Sequence, residues 1–445
     1  MRRIMSGFAP ISSQTAEVDR VPGRETEFVR DLRAPNKFLV NRAVFTEGSL
    51  LAQERDAIFS KCWIYVGHES EVPNPGDFVA REVAGRPVIF TRNRDGQTRV
   101  LLNSCSHRGA EVCRERRGNQ RRFRCFYHSW SFSNDGELVS MPDEGGFPAG
   151  FRKEDHNLAQ PAAVDSYRGF VFATFNPEQE PLVDYLADAK YYLDLTADQA
   201  AGEVGMVVTQ GTHEYSMKSN WKLLAENSSD GYHAIPVHKT YLDVQKTRGD
   251  NVAGNTEKDW KESHAFDLGN GHTVTVKQAP WGRPVARWQP SMGEDTKATV
   301  EASYRRLVEL HGDERAQLIA NLDFNMLIFP NLVINNIMAV IVRTFYPNEP
   351  GHMNVTAWSL APGGEDKAAR RVRNESFLSF LGPAGLATPD DNEALESCQR
   401  GYASRPGEGW NDVSRGMDKF DPPNWDELQM RTFWRRWDDL MGAKE

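Results

Sequence analysis

The chain has 445 residues, about three times a typical domain, which predicts two domains or one large one with a core that needs no disulfide staples. Its 39% hydrophobic and 26% charged residues are those of an ordinary globular protein and exclude disordered, collagen-like and coiled-coil classes. A net charge of -9, with 53 basic residues dispersed among 62 acidic ones, argues against a nucleic-acid scaffold.

Five cysteines (Cys62, Cys105, Cys113, Cys125 and Cys398) are too few for a disulfide framework and an odd number, so they are expected as buried thiols or ligands in a reducing compartment. The segment from Met1 to Gln14 lacks the apolar stretch of a secretion signal, and no run approaches the length of a membrane span. A cytoplasmic location without membrane contact is the expectation.

In chain order, residues 1–60 are expected to form a helical arm, because Ser49 to Phe59 spaces its apolar positions at helical period. Residues 61–178 change to short β runs. Asp95-Gly96 separates Pro87–Thr91 from Arg99–Leu102, and Asp135-Gly136 separates Trp130–Phe132 from Glu137–Val139, both hairpin signals. The run Gly169–Phe175, stopped by Asn176-Pro177, closes an all-β domain. Residues 179–445 mix the two periods. Strands are expected at Met206–Thr209, Met326–Phe329, Ala339–Val342 and Val355–Trp358, in an antiparallel sheet, and helices from about Asn220, Thr299, Glu365 and Asp390. A last helix over Trp425–Met441 places Met430, Phe433, Trp434, Trp437 and Met441 on one stripe, which reads as core packing.

The β segment carries Cys105-Ser106-His107 and Cys125-Phe126-Tyr127-His128. Each half has one thiolate and one imidazole, which is wrong for a zinc knuckle but suits a [2Fe-2S] cluster with both thiolates on one iron and both imidazoles on the other. Buried structural cysteines would account for one such half, not two.

The second group lies in Glu226-Asn227-Ser228-Ser229-Asp230-Gly231-Tyr232-His233-Ala234-Ile235-Pro236-Val237-His238. Asp230 and His233 are expected to share a helix face, and Pro236 to break the helix so that His238 converges with His233. Two histidines and one carboxylate with open positions form the facial triad of non-haem Fe(II) oxygenases. Asp230 suits a partner orienting His233, so the third ligand is sought at Thr388-Pro389-Asp390-Asp391. Helix capping leaves the choice open: Asp390 capping frees Asp391, and Thr388 capping puts Asp391 at the third helical position.

These motifs, with Asn220-Trp221-Lys222 before the second and Gly382-Pro383-Ala384-Gly385 before the aspartates, resemble the large (alpha) subunit of Rieske non-haem iron aromatic ring-hydroxylating oxygenases along nearly the whole chain. The resemblance implies an α+β protein: an all-β Rieske [2Fe-2S] domain plus a helix-grip-like catalytic domain with an antiparallel sheet. It implies that Cys105, His107, Cys125 and His128 hold the cluster, and that His233, His238 and Asp391 hold a mononuclear Fe(II). It further implies that Asp230 bridges His128 of one subunit to an iron-ligand histidine of its neighbour, and that Asn227 lies near the iron.

The implied activity is O2-consuming hydroxylation of an aromatic substrate in aromatic catabolism, with electrons from NAD(P)H through a reductase, directly or through a ferredoxin. The implied assembly is a head-to-tail α3 trimer, or α3β3 with a small β subunit. A Rieske monooxygenase, whether ring hydroxylase or N- or O-demethylase, is the alternative, and an electron carrier without oxygenase activity is the competing class. The stretches 381–391 and 409–417 resemble members acting on substituted aromatic acids. Arg343, on an expected strand, is then a candidate for the acid's carboxylate, against its reading as an ordinary solvent-facing or ion-paired arginine. Phe126 and Ser129 stand where the family usually has Pro and Gly, from which a shifted redox potential is expected rather than loss of the cluster.

Overall fold

The computed structural model describes residues 24–200, 202, 204–209, 211–249, 263–279 and 287–442; the first 23 residues of the expected arm lie outside them. The chain forms two compact units, Phe59–Leu182 and a larger one made of the flanking segments. The start of the larger unit corrects the expectation of an arm that is helical throughout. Strands β1 (Arg24–Glu25), β2 (Val29–Leu32) and β3 (Lys37–Asn41) precede helices α1 (Ala43–Thr46) and α2 (Gly48–Glu54) and a π-helical turn over Arg55–Phe59. The reason is period: Val29 and Asp31, then Phe38 and Val40, alternate inward at two-residue spacing, a strand signal that the helical stretch after Ser49 overshadows.

The Phe59–Leu182 unit is built from short antiparallel sheets. Strands β4 (Ile64–His68), β5 (Asp77–Val83), β6 (Arg86–Arg92), β7 (Thr98–Leu102) and β8 (Arg117–Asn119) are followed by β9 (Arg122–Arg124), β10 (Ser131–Ser133), β11 (Leu138–Ser140), β12 (Ala163–Tyr167) and β13 (Phe170–Thr174). They form sheets ordered β7-β6-β5-β8, β11-β10-β9 and β12-β13-β4. Both cysteine loops close in the same way. Cys105 N–H donates to Ala110 O at 2.8 Å and Gly109 N–H to Cys105 O at 2.7 Å; Cys125 N–H donates to Trp130 O at 2.8 Å and Ser129 N–H to Cys125 O at 2.9 Å. The equivalent residues Gly109 and Ser129 both take left-handed backbone, at φ of 73° and 60°.

In the larger unit an eight-stranded antiparallel sheet runs β14-β21-β20-β19-β18-β17-β16, with β15 also paired to β21. These are β14 (Met206–Val208), β15 (His213–Met217), β16 (His264–Asp267), β17 (Thr273–Gln278), β18 (Leu322–Ile328), β19 (Leu332–Asn336), β20 (Val340–Glu349) and β21 (His352–Pro362); a short β22 (Trp410–Asp412) pairs with β3. The principal helices are α3 (Ala189–Ala197), α4 (Trp221–Asn227), α5 (Ala234–Val237), α6 (Lys239–Thr247), α7 (Lys297–Asn321, kinked at Gly312), α8 (Lys367–Ser379), α9 (Thr388–Ala403) and α10 (Leu428–Gly442). No helix among the described residues is long and apolar enough to cross a membrane.

The expected stripe on α10 is packed: Phe433, Trp434 and Trp437 are buried, and Met430 nearly so. It also carries polar work. Glu54 and Lys222, each 1% exposed, pair at 2.5 Å, and the indoles of Trp221 and Trp437 donate to the same carboxylate at 2.7 and 2.9 Å. Burial pulls Lys222 below its usual range, and Glu54 opposes that shift. Glu54→Ala would strand a buried ammonium and two indole N–H groups, so the larger unit should lose about 3–5 kcal/mol in urea unfolding. A loss under about 1 kcal/mol would mean the pair does not anchor α2 to α4 and α10.

The paired loops give a second expectation. A Cβ on Gly109 would meet nothing closer than Ser104 Oγ at 3.8 Å, so Gly109→Ala isolates the backbone term. It should cost about 1–2 kcal/mol, while Ser129→Gly should be neutral or gain up to about 1 kcal/mol, read from the unfolding midpoint of the Phe59–Leu182 unit. Equal losses in both variants would contradict the equivalence of the two loops.

Candidate metal centres

In the smaller unit, the matched loops bring the two motifs together. Cys105 and Cys125 are 3% and 1% exposed. Burial pushes the Cys105 thiol up, against the backbone N–H of His107 and in step with the neighbouring Cys125. The rings of His107 and His128 lie 4.5 Å apart, and His107 stacks on Trp130 at 4.7 Å. Nδ1 of His107 is buried without a hydrogen-bond partner among the described residues, a nitrogen in want of a ligand. Two thiols that would be stabilised as thiolates by a metal, beside two imidazoles, fit a cluster with sulfur on one iron and nitrogen on the other. Cys113 hydrogen-bonds Glu115 O at 3.5 Å and packs in the core of this unit, away from a ligand role.

In the larger unit, α4 ends at Asn227, earlier than a shared helix face for Asp230 and His233 requires. Residues 228–233 form a turn, in which Tyr232 N–H donates to Asp230 Oδ1 at 2.7 Å. The turn still brings Asp230 Oδ2 to 3.2 Å from His233 Nδ1. Pro236 does not break a helix either. It sits in the first turn of α5, where its missing N–H would have had no partner, and His233 and His238 flank that single turn. Their rings are 5.2 Å apart.

Neither capping scheme for α9 holds, since Ala387 occupies the cap position without a side-chain hydrogen bond. Asp391 is thereby free to turn inward, where it is buried. Its Oδ1 lies 3.3 Å from His233 Nε2 and 3.4 Å from His238 Nε2. Asp390 is outside this group. One ligand atom each from His233, His238 and Asp391 lie within 4.8 Å of one another. Asn227 Nδ2 donates to Asp391 Oδ1 at 3.3 Å and is equally close to His233 Nε2.

The electrostatics suit a cation. Burial works against a charge on His233, yet Asp230 and Asp391 lift it to about 10. Burial also works against a charged Asp391, but hydrogen bonding to His233 and the charges of His233, His238 and Arg343 hold it below the usual carboxylate range. His238 is shifted down by burial, toward the neutral form that binds metals. One carboxylate and two imidazoles on one side of a cavity fit a mononuclear iron with open positions.

That cavity continues past the triad to Tyr241, Ile337, Phe380 and Leu381 on one wall and to a polar stretch of the sheet on the other. The polar floor, with Thr275, Asn325 and Asn335 in register across β17, β18 and β19, was missed in the sequence. Asn335 donates to Asn325 Oδ1 at 2.8 Å. The available signal was a run of asparagines and charges at alternate positions of otherwise apolar strands.

Residues 205–443 match the family described as ring hydroxylating alpha subunit (catalytic domain), and residues 62–160 match the Rieske [2Fe-2S] domain. The chain is 34% identical to the 2-halobenzoate 1,2-dioxygenase large subunit of Burkholderia cepacia, over 87% of this chain and 81% of that protein. It is 34% identical to the toluate 1,2-dioxygenase subunit alpha of Pseudomonas putida, over 84% of this chain and 81% of that protein. The crystal structure of naphthalene 1,2-dioxygenase from Rhodococcus sp. bound to indole matches its fold with a TM-score of 0.79 at 26% identity, covering 99% of this chain and 100% of that one. The chain therefore belongs to the Rieske ring-hydroxylating dioxygenases as a large (alpha) subunit, an oxidoreductase that carries a [2Fe-2S] cluster and a mononuclear iron.

Proposed function

We propose that this chain is the terminal oxygenase subunit of a multicomponent system that dihydroxylates a substituted aromatic acid. The observation that carries the reading is the convergence of His233, His238 and Asp391 at one end of a cavity with an apolar wall and a polar floor. The acid is inferred from relatives named for 2-halobenzoate and toluate.

In this reading Cys105, His107, Cys125 and His128 hold the cluster, and His233, His238 and Asp391 hold the iron. When bound, the iron supplies a site for activating O2 beside the substrate, and the cluster supplies electrons singly. The chain's own residues do the rest. Asp230 orients His233 through Nδ1, which fixes the ring and raises the basicity of Nε2. Asn227 holds Asp391 from the side. Phe380, Leu381 and Ile337 receive the ring and keep water from it.

Electrons reach the chain from NAD(P)H through a separate reductase, directly or through a ferredoxin. We read the assembly as a head-to-tail trimer, with or without a β subunit, in which Asp230 links the iron-side His233 to His128 of the next copy. Its carboxylate is 19% exposed, which leaves it reachable from outside its own subunit.

Reductase-coupled turnover of an aromatic-acid panel under 18O2 tests the reaction: a dihydrodiol with two labelled atoms is expected, whereas a singly labelled hydroxylated product, or an unlabelled dealkylated product with the label in the released aldehyde, would make it a monooxygenase. Asp391→Ala should lower iron from about three to about two per chain with sulfide unchanged. The same loss in Asp390→Ala, with Asp391→Ala intact, would reverse the ligand assignment. Asp230→Ala should keep all iron and sulfide yet lose about 100-fold or more in reductase-driven turnover, and normal turnover would refute the bridging role.

A further inference from the structure

Arg343 is the residue whose surroundings call for a ligand. It lies in the middle of β20, in the run Ala339-Val340-Ile341-Val342-Arg343, and is 4% exposed. A guanidinium has five N–H donors and is always charged, so burying one demands partners. Among the described residues Arg343 has one, Ser228, whose Oγ accepts from Nη2 at 3.2 Å while itself donating to Leu224 O at 2.6 Å. Nε is buried with no partner among the described residues. Its neighbours in register are Val333 on β19 and Ala357 on β21, so no carboxylate faces it across the sheet.

The other cation on this floor is placed differently. Lys277 on β17 is in register with Asp323 on β18, a carboxylate 1% exposed, so an opposite charge stands beside it. The acidic group that senses Arg343 is Asp391, which is committed to the iron. Arg343 lines the same cavity as the triad, and its contact Ser228 follows Asn227, which touches both His233 and Asp391. The apolar wall of Phe380 and Leu381 lines the same cavity.

We propose that Arg343 is the carboxylate-binding residue of the substrate pocket, pairing its unspent donors with the acid group of an aromatic acid whose ring packs on Phe380 and Leu381. The assignment rests on the aromatic-acid reading and deepens it. A planar guanidinium meets a carboxylate through two parallel N–H donors, which fixes both the position and the plane of the ring. In a buried site this discriminates strongly against an uncharged analogue, because that analogue leaves the cation unpaired.

The test uses iron-loaded holoenzyme and pairs of probes, benzoate with benzamide and 4-isopropylbenzoate with its amide, measured by calorimetric binding and by reductase-driven oxygen uptake. Wild type should prefer each acid to its amide. Arg343→Gln should weaken acid binding by about 100-fold or more, leave amide binding within about threefold, and retain full iron and sulfide. Arg343→Lys should restore part of the acid preference, as a point charge without the fork. If Arg343→Gln keeps the acid preference, or weakens acid and amide equally, Arg343 serves only to position Asp391 or the strand, and the assignment is wrong. If wild type shows no preference for acids, the aromatic-acid reading fails, and the subsite falls with it.

Discussion

The catalytic unit depends on holding one buried carboxylate between two imidazoles. Asp391 comes from the start of α9, and His233 and His238 from the two ends of a single helical turn, so segments more than a hundred residues apart must bring their ligand atoms within 4.8 Å of one another. A buried carboxylate without partners would take up a proton. Here the hydrogen bond to His233, the charges of the two imidazoles and the amide of Asn227 keep Asp391 ionised, and that ionised group is what a divalent cation requires.

Other parts of the larger unit serve that demand by fixing the backbone on either side. Asn220 caps α4 by accepting from Lys222 N–H, and the Lys222–Glu54 pair with its two indoles ties α4 to α2 and α10. Trp434 donates to Glu226, four residues before Asp230. Burial of Glu226 raises it to about 8, in spite of that hydrogen bond. The aromatic stripe on α10 is therefore both core and polar scaffold. In the smaller unit the scaffold is the repeated loop, in which the left-handed residue is glycine once and serine once.

Ligand chemistry was legible in the sequence because metals impose residue type and spacing together. Two Cys-His pairs and a closely spaced Asp, His and His suit few chemistries besides metal binding. Local geometry was less legible. Pro236 was expected to break a helix but occupies the first turn of one, because the preceding helix already ends at Asn227. The choice between Asp390 and Asp391 was beyond capping rules, since the cap falls on Ala387, which has no capping side chain. The N-terminal strands were hidden because they pair with one another and with β22, more than 350 residues further along the chain. Specificity was least legible: Arg343 could be named, but only the register of β17 to β21 sets Lys277 beside Asp323 and Arg343 between Val333 and Ala357.

In the proposed reading one chain holds a cluster with divided sulfur and nitrogen ligands and, separately, an iron on His233, His238 and Asp391. Mössbauer spectroscopy of protein loaded with 57Fe, reduced and oxidised, tests it directly in wild type and in His233→Ala. Wild type should show about two-thirds of the iron in a coupled pair whose two ions are already distinct when oxidised, one of them becoming ferrous on reduction, and about one-third in a mononuclear ferrous site. His233→Ala should lose only the mononuclear component. A variant that keeps that component, or loses the coupled pair instead, would contradict the account.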